Sequence, residues 1–324
     1  MVDIDKFLKE LSSEFDKLPE DLHVTRKACA LVAISGGKVI KVQEPEVKYC
    51  PLFKALFSHE EINRDNIEDK FLSQTSDWGM FTGKRKIKDS RVIVPFGASE
   101  MIMYALKRGD LDAAVLVCEG AGTIVTNDPE VVQGIGAYMN GVFYTSPIKE
   151  IIKNLKEYNV NILSEKEAKI NQLEGVKLAV ELGYRKIAVT VRGDESEIIK
   201  KIRDFSLDSK TDIVILAVCN SGIDKREAEI VRDNADLGWA CASKEIRRIV
   251  GPISIVQVGV KIPVFVITRR GVDFISNYSK DGKLREKLKD FAKHLAPEGL
   301  RESRKMGESF SVHLLELKED GNAQ

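Results

Sequence analysis

The feature that most constrains this chain is a pattern written twice. The first copy reads Arg91-VIVPF-Gly97-Ala98-Ser99-Glu100-MIMYALKRGDL-Asp112-AAVLV-Cys118-Glu119-Gly120. The second reads Lys186-IAVTVR-Gly193-Asp194-Glu195-Ser196-Glu197-IIKKIRDFSLDSKT-Asp212-IVILAV-Cys219-Asn220-Ser221-Gly222. Each is an apolar strand, a glycine turn, a Ser-Glu pair opening a helix, an aspartate and a second apolar strand ending in cysteine. Strands alternating with helices specify a parallel sheet. Ligands of such sheets bind at the carboxyl ends of the strands, where Cys118 and Cys219 fall. Duplication predicts a pseudo-twofold core with paired sites, whereas stacked βαβ units alone would give much of the same likeness.

From Arg91 onwards, strands are expected at 91–95, 113–118, 160–163, 186–191 and 212–218. The matching helices are expected at 98–108, 147–158, 165–182, 195–205 and 224–233, with a further one over Ala240–Val250. The runs Ile253-SIVQV and Ile262-PVFVI suit adjacent strands, one at an edge because Pro263 has no N–H for a ladder. Helices at 270–277 and 283–295 and an antiparallel edge strand over 309–317 follow, and 319–324 is expected to fray. At the other end, apolar side chains at helical spacing over 3–18 predict an amphipathic helix ended by Pro19. Two runs around Gly36-Gly37 predict a β-hairpin. Residues 58–90 read as irregular, and the basic cluster Lys84–Lys88 as a solvated turn. The fold class is therefore α/β: a mostly parallel sheet with flanking helices, plus an N-terminal helix and hairpin. The expected divisions are 1–90, an α/β core at 91–270, and a closing segment at 271–324.

Fifty basic residues against fifty acidic ones leave no net field to draw in nucleic acid or an anionic membrane. No apolar run approaches the roughly 18 residues that span a bilayer. The amino terminus lacks the basic-then-apolar order of a secretory signal, so a cytoplasmic protein is expected. Five dispersed cysteines without a CxxC pair make neither a disulfide framework nor a local metal motif. Four histidines with no HxH or HExxH argue against a histidine-rich metal site, and no GxxxxGK[ST] points to a P-loop.

Chemistry concentrates in a few loops. Cys118-Glu119-Gly120-Ala121-Gly122-Thr123 offers a thiol as candidate nucleophile, a carboxylate as candidate acid or base, and glycines whose N–H groups can face an anion. Gly97, Ser99 and Glu100 sit where a strand turns into a helix, another place where anions bind. Asn220 and Ser221 stand in the corresponding loop of the second copy, with Asp224 the expected helix cap. The glycine-rich stretch 120–141 reads as a pliable loop. The cofactor is not specified by any of these residues.

The GGK hairpin, Tyr49-Cys50-Pro51-Leu52, Phe96-Gly97-Ala98-Ser99-Glu100 and Cys118-Glu119-Gly120-Ala121-Gly122-Thr123, in that order, resemble the methanogenesis marker protein 8 family. The resemblance runs from about His23 to beyond Cys219. It implies an archaeal cytoplasm and a task connected with methanogenesis, and it supplies no catalytic residues.

Three readings follow. The first is a binding protein or enzyme for a small anionic, cofactor-like ligand held by Gly97, Ser99, Glu100, Gly120, Gly122, Thr123, Asn220 and Ser221, with Cys118 and Glu119 as catalytic candidates. The second is an iron–sulfur or other thiolate-metal protein using Cys50, Cys118 and Cys219, with Cys241 a fourth candidate. The third is a non-catalytic assembly factor for a methanogenic enzyme complex. Nucleic acid and membrane are not expected partners.

Overall fold

Glycine at both central positions of a two-residue turn lets adjacent strands double back, because each needs a positive φ. Gly36 (φ +56°) and Gly37 (φ +70°) do so. In the computed structural model, which describes residues 3–50, 53–54, 57–94, 96–138, 141–259, 262–279, 302–306 and 310–314, they join β2 to β3. The chain forms two compact units, residues 1–90 with 114–183 and residues 91–113 with 184–324.

The first unit opens with α1 (Ile4–Glu14), β1 (His23–Lys27), β2 (Ala30–Ser35), β3 (Lys38–Val42) and α2 (Arg64–Trp78). Alternation along β2 places Leu31 and Ala33 in one cluster with Phe7 and Leu11 of α1. Val32 and Ile34 face the opposite cluster with Ile67 and Phe71 of α2. Both faces of the strand are thus buried. Helix α2 corrects the expectation of irregular structure over 58–90. An Asn63/Asn66 capping box starts it, and its inner face includes the buried polar residues Lys70 and Gln74, which blur the apolar period.

The chain enters the second unit for α3 (Ala98–Arg108) and returns through β4 (Ala113–Cys118). Next come β5 (Gly122–Thr126), α4 (Pro129–Gly136), β6 (Val142–Thr145), α5 (Lys149–Glu157), β7 (Asn161–Ile162) and α6 (Gln172–Glu181). Strand β6 completes a four-stranded antiparallel sheet in the order β3-β2-β1-β6, and β5 pairs antiparallel with both β4 and β7. Within the stretch 120–141, residues 122–126 are strand and 129–136 helix rather than a pliable loop. Gly134 is there for packing, since a Cβ would strike the Ile87 carbonyl.

The second unit continues with β8 (Lys186–Arg192), a 3-10 turn (Gly193–Glu195), α7 (Ser196–Ser209), β9 (Asp212–Val218), α8 (Lys225–Asn234) and β10 (Leu237–Trp239). A π-helical turn (Ile246–Val250), β11 (Val256–Val258), β12 (Val264–Val266), α9 (Arg269–Ser279), β13 (Glu302–Met306) and β14 (Phe310–Leu314) follow. Strands β8, β9 and β10 are parallel, and their apolar runs are buried as a sheet covered on both faces requires. Strand β12 runs antiparallel between β10 and β11, and β11 in turn pairs with β14. Neither of the two runs is an edge. Pro263 precedes the first ladder residue, and its carbonyl accepts the Ala240 N–H at 2.8 Å, so its missing N–H costs nothing. The expected helix at 283–295 and the frayed end at 319–324 lie outside the described residues.

The duplicated pattern does not become a duplicated structure. Arg91–Val94 is not a strand, because the carboxylate of Glu100 accepts the Ile93 and Val94 N–H groups, each at 3.1 Å. The segment wraps that buried carboxylate instead of joining a ladder. Strand β4 then leads into antiparallel β5, whereas β9 leads through α8 into parallel β10.

Candidate functional site

The Cys118–Thr123 turn is packed and internally satisfied. Cys118, Glu119 and Thr123 are fully buried. Glu119 forms an ion pair with Arg85 at 2.5 Å, with neither side chain exposed. The Arg85 guanidinium also donates to the carbonyls of Lys86 at 2.6 Å and Gly134 at 2.9 Å. Arg85 belongs to the cluster read as a solvated turn, and the structure corrects that reading. The Gly120 N–H donates to Thr145 Oγ1 at 2.7 Å, and that hydroxyl in turn meets His23 Nδ1 at 2.7 Å. Burial pushes the His23 pKa down to about 4, against a smaller opposing effect of Asp21. Thr123 Oγ1 donates to Gln172 Oε1 at 2.7 Å and accepts from the Asn171 N–H. A Cβ on Gly122 would strike the Ala168 carbonyl. Burial raises the Cys118 thiol well above its ordinary range, the Glu119 charge adds to this and Arg85 opposes it, so the thiol stays protonated. The hydrogen-bonding groups of this turn are spent on the chain's own residues.

A different arrangement stands at the carboxyl ends of β8, β9 and β10 in the second unit. Asn220, fully buried just past β9, donates through Nδ2 to the carbonyls of Ala217 at 2.8 Å and Trp239 at 2.7 Å. Two carbonyls around the nitrogen fix the orientation of the amide, and among the described residues Oδ1 has no hydrogen-bond partner. It faces Gly193, where a Cβ would overlap it. The Trp239 indole N–H donates to the Phe96 carbonyl at 2.9 Å, which ties the Gly97–Glu100 turn to the same edge. Gly97 itself is buried, and a Cβ there would strike the Glu100 carboxylate, which also accepts from Ser99 Oγ at 3.0 Å. Ser221 Oγ accepts the Ala242 N–H at 3.1 Å. Asp224 caps α8 in a capping box with Glu227, as expected.

Charged groups line this edge. Arg192 pairs with Asp194 at 2.9 Å and reaches Glu195 at 3.6 Å. Burial raises the Glu195 pKa, Asp194 adds to it and Arg192 opposes it. Arg247 Nη1 donates to the Ser243 carbonyl at 3.0 Å, and no carboxylate lies within ion-pair distance of Arg247 among the described residues. Desolvation lowers the Arg247 pKa, offset in part by Cys241 nearby.

The structure thus gathers Gly97, Ser99, Glu100, Asn220 and Ser221 within the second unit, while Glu119, Gly120, Gly122 and Thr123 belong to the first. Of the cysteines, Cys118 and half-buried Cys50, which packs beside the α2 cluster, are in the first unit, and Cys219 is in the second. Among the described residues no group of three His, Cys, Asp or Glu side chains is placed to hold a metal ion. Arg85, Arg192, Glu195, Trp239 and Arg247 carry no local motif. Only the position of Arg192 and Trp239 at strand ends could have drawn attention to two of them.

These units define an α/β protein whose second unit carries a short parallel ladder. The chain belongs to the family described as "Uncharacterized protein conserved in archaea (DUF2099)", whose model matches residues 23–280. It is 41% identical over 253 residues to the uncharacterized protein MJ0054 of Methanocaldococcus jannaschii, covering 78% of this chain and 88% of the relative. No solved structure matches it. No helix among the described residues is long and apolar enough to cross a membrane.

Proposed function

We propose that this chain binds a small anionic, cofactor-like molecule at the carboxyl edge of β8, β9 and β10, in a task connected with methanogenesis. The observation that carries this reading is Arg247, a partly buried guanidinium held on backbone carbonyls with no carboxylate partner among the described residues. A cation desolvated without a counter-ion favours an anion brought from outside. The location is where ligands of parallel sheets bind. If the molecule undergoes chemistry there, Glu195 is a candidate for proton transfer, because burial raises its pKa. The likeness to the methanogenesis marker 8 family supports the metabolic setting.

The test is thermal unfolding of the full chain with inorganic phosphate, pyrophosphate, AMP and succinate. A ligand at about 100 times its Kd stabilises by about 2.7 kcal/mol, or about 5–10 °C in Tm for a unit of this size. At least one anion raises Tm in the wild type and fails to do so in Arg247→Ala. No shift with any of the four, or an equal shift in the variant, overturns the reading.

A further inference from the structure

We propose that Cys219 and Cys241 form a dithiol that reacts with small-molecule disulfides. Strands β9 and β10 pair in parallel with Gly238 opposite Ala217, so Ala240 falls opposite Cys219 and Cys241 is one residue further. Two cross-links keep the strand ends side by side beyond the ladder: Asn220 Nδ2 to the Trp239 carbonyl at 2.7 Å, and the Ala242 N–H to Ser221 Oγ at 3.1 Å. Paired strands run about 4.8 Å apart and rise about 3.3 Å per residue, so a one-residue offset puts the two Cα atoms about 6 Å apart, inside the roughly 4.4–6.8 Å that a disulfide spans. The left-handed backbone at both cysteines takes them out of the strict face alternation of a ladder.

Three further observations bear on these two cysteines together. Neither is in a disulfide, and both are half-buried, as is Cys50, whereas Cys29 and Cys118 are buried. Both adopt left-handed backbone conformations, φ +55° at Cys219 and +45° at Cys241, which non-glycine residues occupy uncommonly and which buried Cys29 shares at +66°. Arg247 lies close enough to Cys241 to feel its charge. A neighbouring guanidinium favours the thiolate, the form that attacks sulfur.

The reaction balances without a metal or a bound cofactor. The Cys241 thiolate attacks one sulfur of a disulfide RSSR, forming a mixed disulfide and releasing RS⁻. The Cys219 thiolate then attacks Cys241 Sγ, closing the Cys219–Cys241 bond and releasing the second RS⁻. The protein loses two electrons and two thiol protons, and RSSR becomes two RSH. The dithiol shares its strand edge with the proposed anion site but does not depend on it.

Full-length protein, reduced and freed of reductant under anaerobic conditions, would be treated with glutathione disulfide, alkylated and mapped by mass spectrometry. The expected product is a Cys219–Cys241 disulfide, with two alkylatable thiols lost and both restored by dithiothreitol. Cys219→Ser traps glutathione on Cys241, Cys241→Ser loses the reaction, and Arg247→Gln slows alkylation of Cys241. Near-isosteric serine variants that keep the wild-type Tm rule out misfolding as the cause. Two cysteines that stay reduced, or glutathione on each without a link between them, overturn the proposal. Such a result with the anion-induced Tm shift intact counts against the dithiol alone, and loss of the Tm shift with the disulfide formed counts against the anion site alone.

Discussion

Removing the Arg85 guanidinium while keeping the bulk of its stem, as in Arg85→Met, leaves the Glu119 carboxylate buried without its cation. It also takes the donor from the carbonyls of Lys86, Gly134 and Ile135. Breaking one side of a buried ion pair costs about 3–5 kcal/mol, a large share of the roughly 5–15 kcal/mol that holds a domain together. With a urea m-value of about 2 kcal/mol/M, the midpoint falls by about 1.5–2.5 M. The stranded charge is the main cost. Neutralising it as well, in Arg85→Met with Glu119→Gln, therefore recovers stability relative to Arg85→Met alone. The chain has two tryptophans, Trp78 in the first unit and Trp239 in the second. Trp78 fluorescence in a Trp239→Phe background reports the first unit, where it stacks on Tyr138. A loss below about 1 kcal/mol for Arg85→Met would falsify this reasoning, as would a double variant less stable than Arg85→Met.

Further outcomes follow from other buried groups. His23 carries a pKa of about 4 in the folded chain against 6.5 as its ordinary value, so the unfolded state binds its proton first. Its contribution is fully present above pH 6.5 and is lost as pH falls toward 4, by about 3 kcal/mol in total; urea midpoints across that window flatten in His23→Gln. Asp236 is fully buried and accepts from Arg203 at 2.7 Å, the Ile215 N–H at 2.8 Å and Thr268 at 2.5 Å. Asp236→Ala costs the second unit about 3–5 kcal/mol by chemical denaturation, since it strands a guanidinium and a strand N–H. Gly193→Ala places a methyl against Asn220 Oδ1 and lowers Tm; Asn220→Ala in the same chain removes the clash and recovers part of the loss.

Local signals reached some parts of the fold and not others. The Gly36-Gly37 turn, the ladder from Lys186 to Val218 and the Asp224 cap each carry their physics within a few residues. Arg91–Val94 looks like a strand, but its amides are taken by Glu100, and only the folded chain shows that competition. Arg85 sits in a run of lysines that reads as solvated, yet its partner is 34 residues away. The likeness of the two copies was genuine in sequence but did not reveal that β5 returns antiparallel where α8 crosses over. At the proposed binding edge Asn220 and Ser221 were already candidates from their loop, whereas Arg247 became one only once the Ala240 and Ser243 carbonyls were seen to hold it beside Cys241.

The most direct test of the central claim, that the carboxyl edge of the second unit is the functional face, is hydrogen exchange of the full chain with and without pyrophosphate. The account predicts protection confined to segments 93–97, 192–196, 219–224 and 239–247. Protection at 118–123 instead, or at none of these segments, would contradict it.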